Sequence, residues 1–155
     1  MTLLDHHIST SFRLSEFLRS ESAQRHGIDN TPDALALANI RNVLGPSMQR
    51  VRNLLETPVF VTSGYRSPQV NALVGGSRNS QHLQGLAVDF VSPQFGSPKA
   101  ICRHLMRHQE VVRWDQLIWE GTWVHISFIG SGTPRGEVLT AHFTAGSVTY
   151  AHGIA

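Results

Sequence analysis

Cysteine is nearly absent. Cys102 stands alone among 155 residues, so neither an internal disulfide nor a cysteine-pair zinc site can form. Any metal must be held mainly by His, Asp or Glu. Cys102 lies at an apolar position of the helical stretch "KAICRHLMRH" and reads as a small buried side chain. Charge is also scarce: 15% of residues are charged, and the formal net charge is +2. That excess does not make the clustered basic face nucleic acid requires, so nucleic acid is not expected as a partner. Low charge with 41% hydrophobic residues argues against disorder. No apolar run approaches the ~18 to 20 residues of a membrane helix, so no membrane insertion is expected. The opening "MTLLDHHISTSFRLSEF" has no basic segment followed by a long apolar one. It does not read as a secretory signal, and synthesis in the cytoplasm is the expectation. His6 and His7 read as solvent-exposed tail residues. No Gly-x-Ser-x-Gly elbow occurs, which disfavours a serine hydrolase. "HLMRH" spaces His104 and His108 four apart but lacks the glutamate of HExxH, so both read as surface or partly packed residues. Repeats, low-complexity segments and linkers are missing. The chain reads as one domain over residues 1–155, expected to be a monomer.

What is present reads as helices first and strands later. "TSFRLSEFL" predicts a short extended approach, followed by a helix over 16–26 that stops at Gly27. In "IDNTPDALALANIRNVLGPSMQRVRNLLE", Thr31 suits a cap, Pro32 the first turn and Asp33 the positive helix end. Leu37, Ile40, Val43 and Leu44 recur at helical spacing, and Met48, Val51, Leu54 and Leu55 continue the apolar face. Gly45-Pro46 is expected to kink or split this helix. "TPVFVTSGYRS" predicts a strand and loop, "PQVNALVGG" a short helix, "LAVDFV" a strand, and "SPKAICRHLMRH" a helix capped by Ser97. "WDQLIWE" and "WVHISFI" read as a hairpin turning at Gly121-Thr122. "EVLTAHF" and "SVTYAHG" read as a last hairpin through Ala145-Gly146, within a C-terminal segment over 130–155. This order predicts an α+β fold, with N-terminal helices packed on a small, mainly antiparallel sheet.

The stretch "NSQHLQGLAVDF" carries chemistry. His82 and Asp89 flank Gly85, whose backbone freedom lets a loop histidine face a strand aspartate. Asp89 sits among Leu86, Ala87, Val88 and Phe90, and a lone buried carboxylate is costly. A metal, an arginine or a backbone cap can serve as its partner. Catalytic zinc takes three protein ligands and leaves a position open. In "WVHISFI", alternation places Trp123, His125 and Ser127 on one face, opposite Val124, Ile126 and Phe128. His125 is thus a third candidate ligand, with a structural strand histidine as the plainer reading.

"SGYRSPQVNALVGGSRNSQHLQGLAVDF" followed by "DQLIWEGTWVHISF" resembles the zinc D-alanyl-D-alanine peptidases. That family comprises D-alanyl-D-alanine carboxypeptidases and phage peptidoglycan endopeptidases. The stretch "FRLSEFLRSESAQRHGIDNTP" is similar to its small phage-associated branch. The resemblance spans roughly residues 12–129, with the SGYRS, SQH, GxAxDF and WVH blocks in order. It implies the hedgehog/D-Ala-D-Ala peptidase-like fold, with Zn2+ held by His82, Asp89 and His125. It also implies Arg66 on a substrate carboxylate or developing oxyanion, and Ser80 and Gln81 along the cleft. Ser63, Tyr65 and Asn71 would shape the arginine loop. Many relatives carry an acid three residues before the last histidine, where this chain has Thr122. The nearest acid, Glu120, is assigned as general base, with Asp115 as its rival.

The implied substrate is the peptidoglycan stem peptide. The implied activity is carboxypeptidase or endolysin-type endopeptidase, reaching the wall by phage-type release. The missing acid at Thr122 leaves open a non-catalytic zinc-containing wall-binding or phage structural module of the same fold.

Overall fold

The computed structural model describes residues 3–155. Helix α1 is Leu14–Leu18 and α2 is Glu21–His26. The expected extended approach is therefore helical from Leu14, and the expected single helix over 16–26 is two helices. Ser20 causes the break. Its hydroxyl accepts the Ala23 amide at 3.2 Å, capping a new helix where the old one would have continued. Gly27 ends α2 in the left-handed conformation, φ 65°. His6 and His7 do not lie in a free tail. His7 bridges to Arg13, while Asp5 accepts Arg13 Nε at 2.8 Å and the Ser15 amide at 2.9 Å, folding this segment onto α1.

Helix α3 is Ala34–Asn39 and α4 is Gly45–Leu55. Asp33 caps α3, accepting the Ala36 amide at 2.8 Å. Thr31 does not: its hydroxyl donates to Asp29 at 2.6 Å, which leaves Pro32 ahead of the cap. Gly45-Pro46 does not divide the long helix either. The chain passes through a wider π turn at Ile40–Leu44, where the Gly45 amide reaches the Ile40 carbonyl. Pro46 has no amide to donate and its ring crowds a carbonyl one turn back. The extra residue in the turn accommodates both without breaking the rod. Ile40, Leu44, Met48 and Val51 along this rod are fully buried.

Among the described residues the sheet has six strands: β1 Phe60–Ser63, β2 Ala87–Val91, β3 Gln116–Trp119, β4 Val124–Ser127, β5 Glu137–Thr144 and β6 Ser147–His152. Their spatial order is β1-β2-β4-β3-β5-β6. Every neighbouring pair is antiparallel except β3 with β5. Between the strands lie α5 Pro68–Leu73, a 3₁₀ turn at Gln81–Gln84, α6 Pro98–Met106 and α7 Gln109–Val112. Ser67 and Ser97 cap α5 and α6, each with proline in the first turn. This is an α+β architecture with a mostly antiparallel sheet.

Alternation divides the sheet into two faces. Val88, Phe90, Leu117, Val124 and Ile126 join Phe12, Phe17 and the α4 face in one core. Each such side chain contributes about 1.5–3 kcal/mol by leaving water. The opposite face shows Ser63, Asp89, His125, Ile118, Leu139 and His152 in one cross-strand row. The chemistry stands on that face.

Candidate metal centre

Two of the three candidate ligands are strand neighbours: Asp89 on β2 is paired with His125 on β4. The third arrives from the 3₁₀ turn. Ser80 caps that turn by accepting the His82 amide at 3.2 Å, and Gly85 ends it at φ 70°. A Cβ on Gly85 would also meet the Ala36 carbonyl oxygen at 2.6 Å, so both the turn and the approach of α3 require glycine. His82 is thereby pressed inward to 2% exposure. Its Nδ1 lies 2.7 Å from the Gly64 carbonyl oxygen. A carbonyl can only accept, so Nδ1 carries the proton and Nε2 is left as a bare lone pair. Gly64 is held beside Phe17, whose carbonyl accepts the Tyr65 amide at 2.7 Å.

His82, Asp89 and His125 each offer a ligand atom, all within 4.8 Å of one another. His82 Nε2 is 3.4 Å from Asp89 Oδ1, and His125 Nδ1 is 3.1 Å from the same oxygen. Ligands about 2.0–2.2 Å from a tetrahedral zinc stand about 3.3 Å apart, so these separations fit. Among the described residues His82 Nε2 is buried without a hydrogen-bond partner, which native interiors rarely tolerate. Two imidazoles, one carboxylate and an orphaned nitrogen aimed at the other two groups match the donor set of a divalent zinc site.

Arg66 faces the cluster. Its Nη2 is 3.4 Å from Asp89 Oδ2, and its Nε and Nη1 lie 3.4 Å from Ser63 Oγ and Asn71 Oδ1. Asn71 in turn donates to the Ser77 carbonyl at 2.9 Å. Ser63 and Asn71 thus hold the guanidinium loosely, while Tyr65 anchors the loop backbone.

These groups line a cleft of about 440 Å³, together with Ser80, Gln81 and Glu120. Gln81 has its amide nitrogen committed to Asp115 Oδ2 at 3.1 Å and the Phe128 carbonyl at 3.3 Å. Glu120 stands just past β3, its amide on the Trp123 carbonyl at 3.0 Å. Burial raises its carboxyl above the ordinary range; Asp89 adds to the rise, while His125 and Arg66 oppose it. Thr122 is exposed at the hairpin turn. Asp115 is saturated: it accepts the Arg135 amide at 2.9 Å and its guanidinium at 2.7 and 3.0 Å. His104 packs at a tilt against Phe95 and His108 against His104, with His108 Nδ1 on the His104 carbonyl, and neither belongs to the cluster.

The cleft also has lining that the sequence does not single out: Arg135, Leu139 and Tyr150. All three lie in the C-terminal segment. Alternation along β6 places Tyr150 on one face, but only the parallel pairing of β5 with β3 makes that face the cleft's.

Asp89 and His125, paired across the sheet, and the buried His82 nitrogen form a cluster that could hold a metal ion. The sequence model of the family Peptidase M15 matches residues 10–127, and the chain belongs to that family. No curated protein matches it. The family is zinc-dependent and acts on peptidoglycan peptides.

Proposed function

We propose that the chain is a zinc metallopeptidase hydrolysing peptide bonds of bacterial cell-wall stem peptides, with His82, Asp89 and His125 holding the ion. The observation that carries this is the buried, unpartnered His82 Nε2 directed at Asp89 and His125 in a cleft shared with Glu120. Bound there, zinc supplies Lewis-acid polarisation of the scissile carbonyl and a lowered pKa for water. Glu120 accepts a proton from the attacking water and returns it to the departing amine as the C–N bond breaks. Burial raises its carboxyl above the ordinary range, the direction in which a proton carrier gains basicity. Arg66 binds the negative oxygen or a free substrate carboxylate, and its long contacts leave it able to turn toward either. A covalent acyl intermediate is unnecessary. Cys102 is fully buried, and burial pushes its thiol up to about 12, which removes it as a nucleophile.

Within this class we favour a lytic endopeptidase of phage type, made in the cytoplasm and released to the wall. The likeness of residues 12–32 to the phage-associated branch supports it, while Arg66 would equally suit a carboxypeptidase. Digestion of purified cell wall, with mass spectrometry of the products, separates the readings. Cuts within the stem or cross-link mean lysis, and loss of one terminal D-alanine means carboxypeptidase. A zinc-loaded chain that leaves the wall intact means the non-catalytic module.

A further inference from the structure

The face that carries the metal centre continues past β3. The row through Asp89 and His125 runs on through Ile118, Leu139 and His152. Two residues along each strand, the same registers align Trp123, Glu120, Ala141 and Tyr150, with Glu120 and Trp123 one step beyond the paired span. The Glu120 amide on the Trp123 carbonyl secures that extension. Ala141 is the residue between Glu120 and Tyr150. Its methyl group is too small to screen one from the other, so a tyrosine two strands from Glu120 lines the same cleft.

Tyr150 is 49% exposed and lines the cleft. Its phenol is held above its ordinary range by burial, then by the carboxylates of Glu120 and Asp89, so it remains a hydrogen-bond donor near neutral pH. The glycine-rich arm at Gly75 and Gly76 also lines this cleft and leaves backbone, not bulky side chains, to bound it. The hairpin that carries Tyr150 lies outside the residues 10–127 that match the family.

We infer that Tyr150 is a substrate-positioning residue: its ring packs against small aliphatic side chains of the bound peptide, and its hydroxyl donates to a peptide carbonyl on the β6 side of the scissile bond. This rests on the peptidase reading of the cleft and adds to it a specificity wall supplied by the C-terminal hairpin. The ligand class is a short, extended peptide of small residues.

The test uses the full zinc-loaded chain with purified stem pentapeptide and its cross-linked dimer. Binding is read by calorimetry in the Glu120→Gln background, where turnover is suppressed. Tyr150→Ala should weaken Kd about tenfold and Tyr150→Phe about two- to threefold, the scale of a lost apolar contact plus one hydrogen bond. Thr149→Ala alters the opposite face of the hairpin and should leave Kd unchanged. With Glu120 intact, Tyr150→Ala should raise KM by the same factor and leave kcat and zinc content within about twofold. Unchanged Kd in Tyr150→Ala, while the parent cleaves, overturns this inference and leaves the peptidase reading standing. Weakened binding with no cleavage in any background upholds the Tyr150 contact and overturns the peptidase. A parent that neither binds nor cleaves overturns both. Were Tyr150→Ala to melt early, Tyr150→Phe keeps the ring and decides for the hydroxyl alone: an unchanged Kd overturns its role.

Discussion

Asp89 and Asp115 begin from the same chemistry and end differently. Both are buried, at 8% and 4% exposure, and both face an arginine. Asp115 is a closed account of hydrogen bonds: Arg135 meets it at 2.7–3.0 Å and Gln81 at 3.1 Å. Asp89 has three nitrogens around it at 3.1–3.4 Å, and one of them, His82 Nε2, makes no hydrogen bond among the described residues. A finished ion pair fills its own space. A set of donors spaced around a common centre leaves room for an ion. The contrast shows that burial and charge alone do not distinguish a structural acid from a candidate metal ligand; the unmet bonding around it does.

The sharpest way to break this contrast is His82→Ala. It should abolish stoichiometric zinc binding and lower wall hydrolysis at least about a thousandfold, because one of three protein ligands is lost. Metal analysis and turnover check it together. A chelator should lower the Tm of the parent but not of His82→Ala, since only the parent gains stability from the bound ion. Glu120→Gln comes next. It should cut kcat about 100- to 1,000-fold with zinc content unchanged, which separates the proton carrier from the ligands.

Asp115→Asn probes the other acid. It should cost about 1–3 kcal/mol in urea unfolding by weakening charged hydrogen bonds to Arg135 and Gln81, and leave zinc binding intact. Solvent around the half-exposed Arg135 places the cost toward the low end. The effect has a pH signature. Burial raises the Asp115 carboxyl, but Arg135 and Gln81 together hold it below its ordinary value. Its stabilisation is therefore complete above the ordinary carboxyl range and disappears as pH falls through the depressed folded value. The stability gap between parent and Asp115→Asn should shrink on acidification from neutral to about pH 3. Cys102→Ala should matter least: a cost of about 1 kcal/mol for a small cavity, and unchanged kcat/KM.

Much of the fold was readable along the chain, for local reasons. Proline after Ser67 and after Ser97 marks two helix starts, and strict alternation around His125 separates a site face from a core face. The misreadings share a cause: several residues competed for one local job. Ser20, Asp33 and Asp29 took hydrogen bonds that decided the caps, and the π turn absorbed Pro46. Of the candidate site, the trio His82, Asp89 and His125 was nameable because each lies within a short block, SQH, GxAxDF or WVH, that is legible in the sequence. Tyr150 was not, because nothing near it in sequence says which strand β5 joins.

Residue order by itself determined the periodicities, the missing cysteine partners, and the types of donor available for a cation. These depend on neighbours within a few positions, where backbone geometry is nearly universal. Tertiary structure alone decided that the Gly64 carbonyl would take the proton side of His82, that Asp115 would be consumed by Arg135, and that β5 would lie parallel to β3. Each is a contact between residues 18 or more positions apart, set by how the sheet closes against the helices and not by local preference.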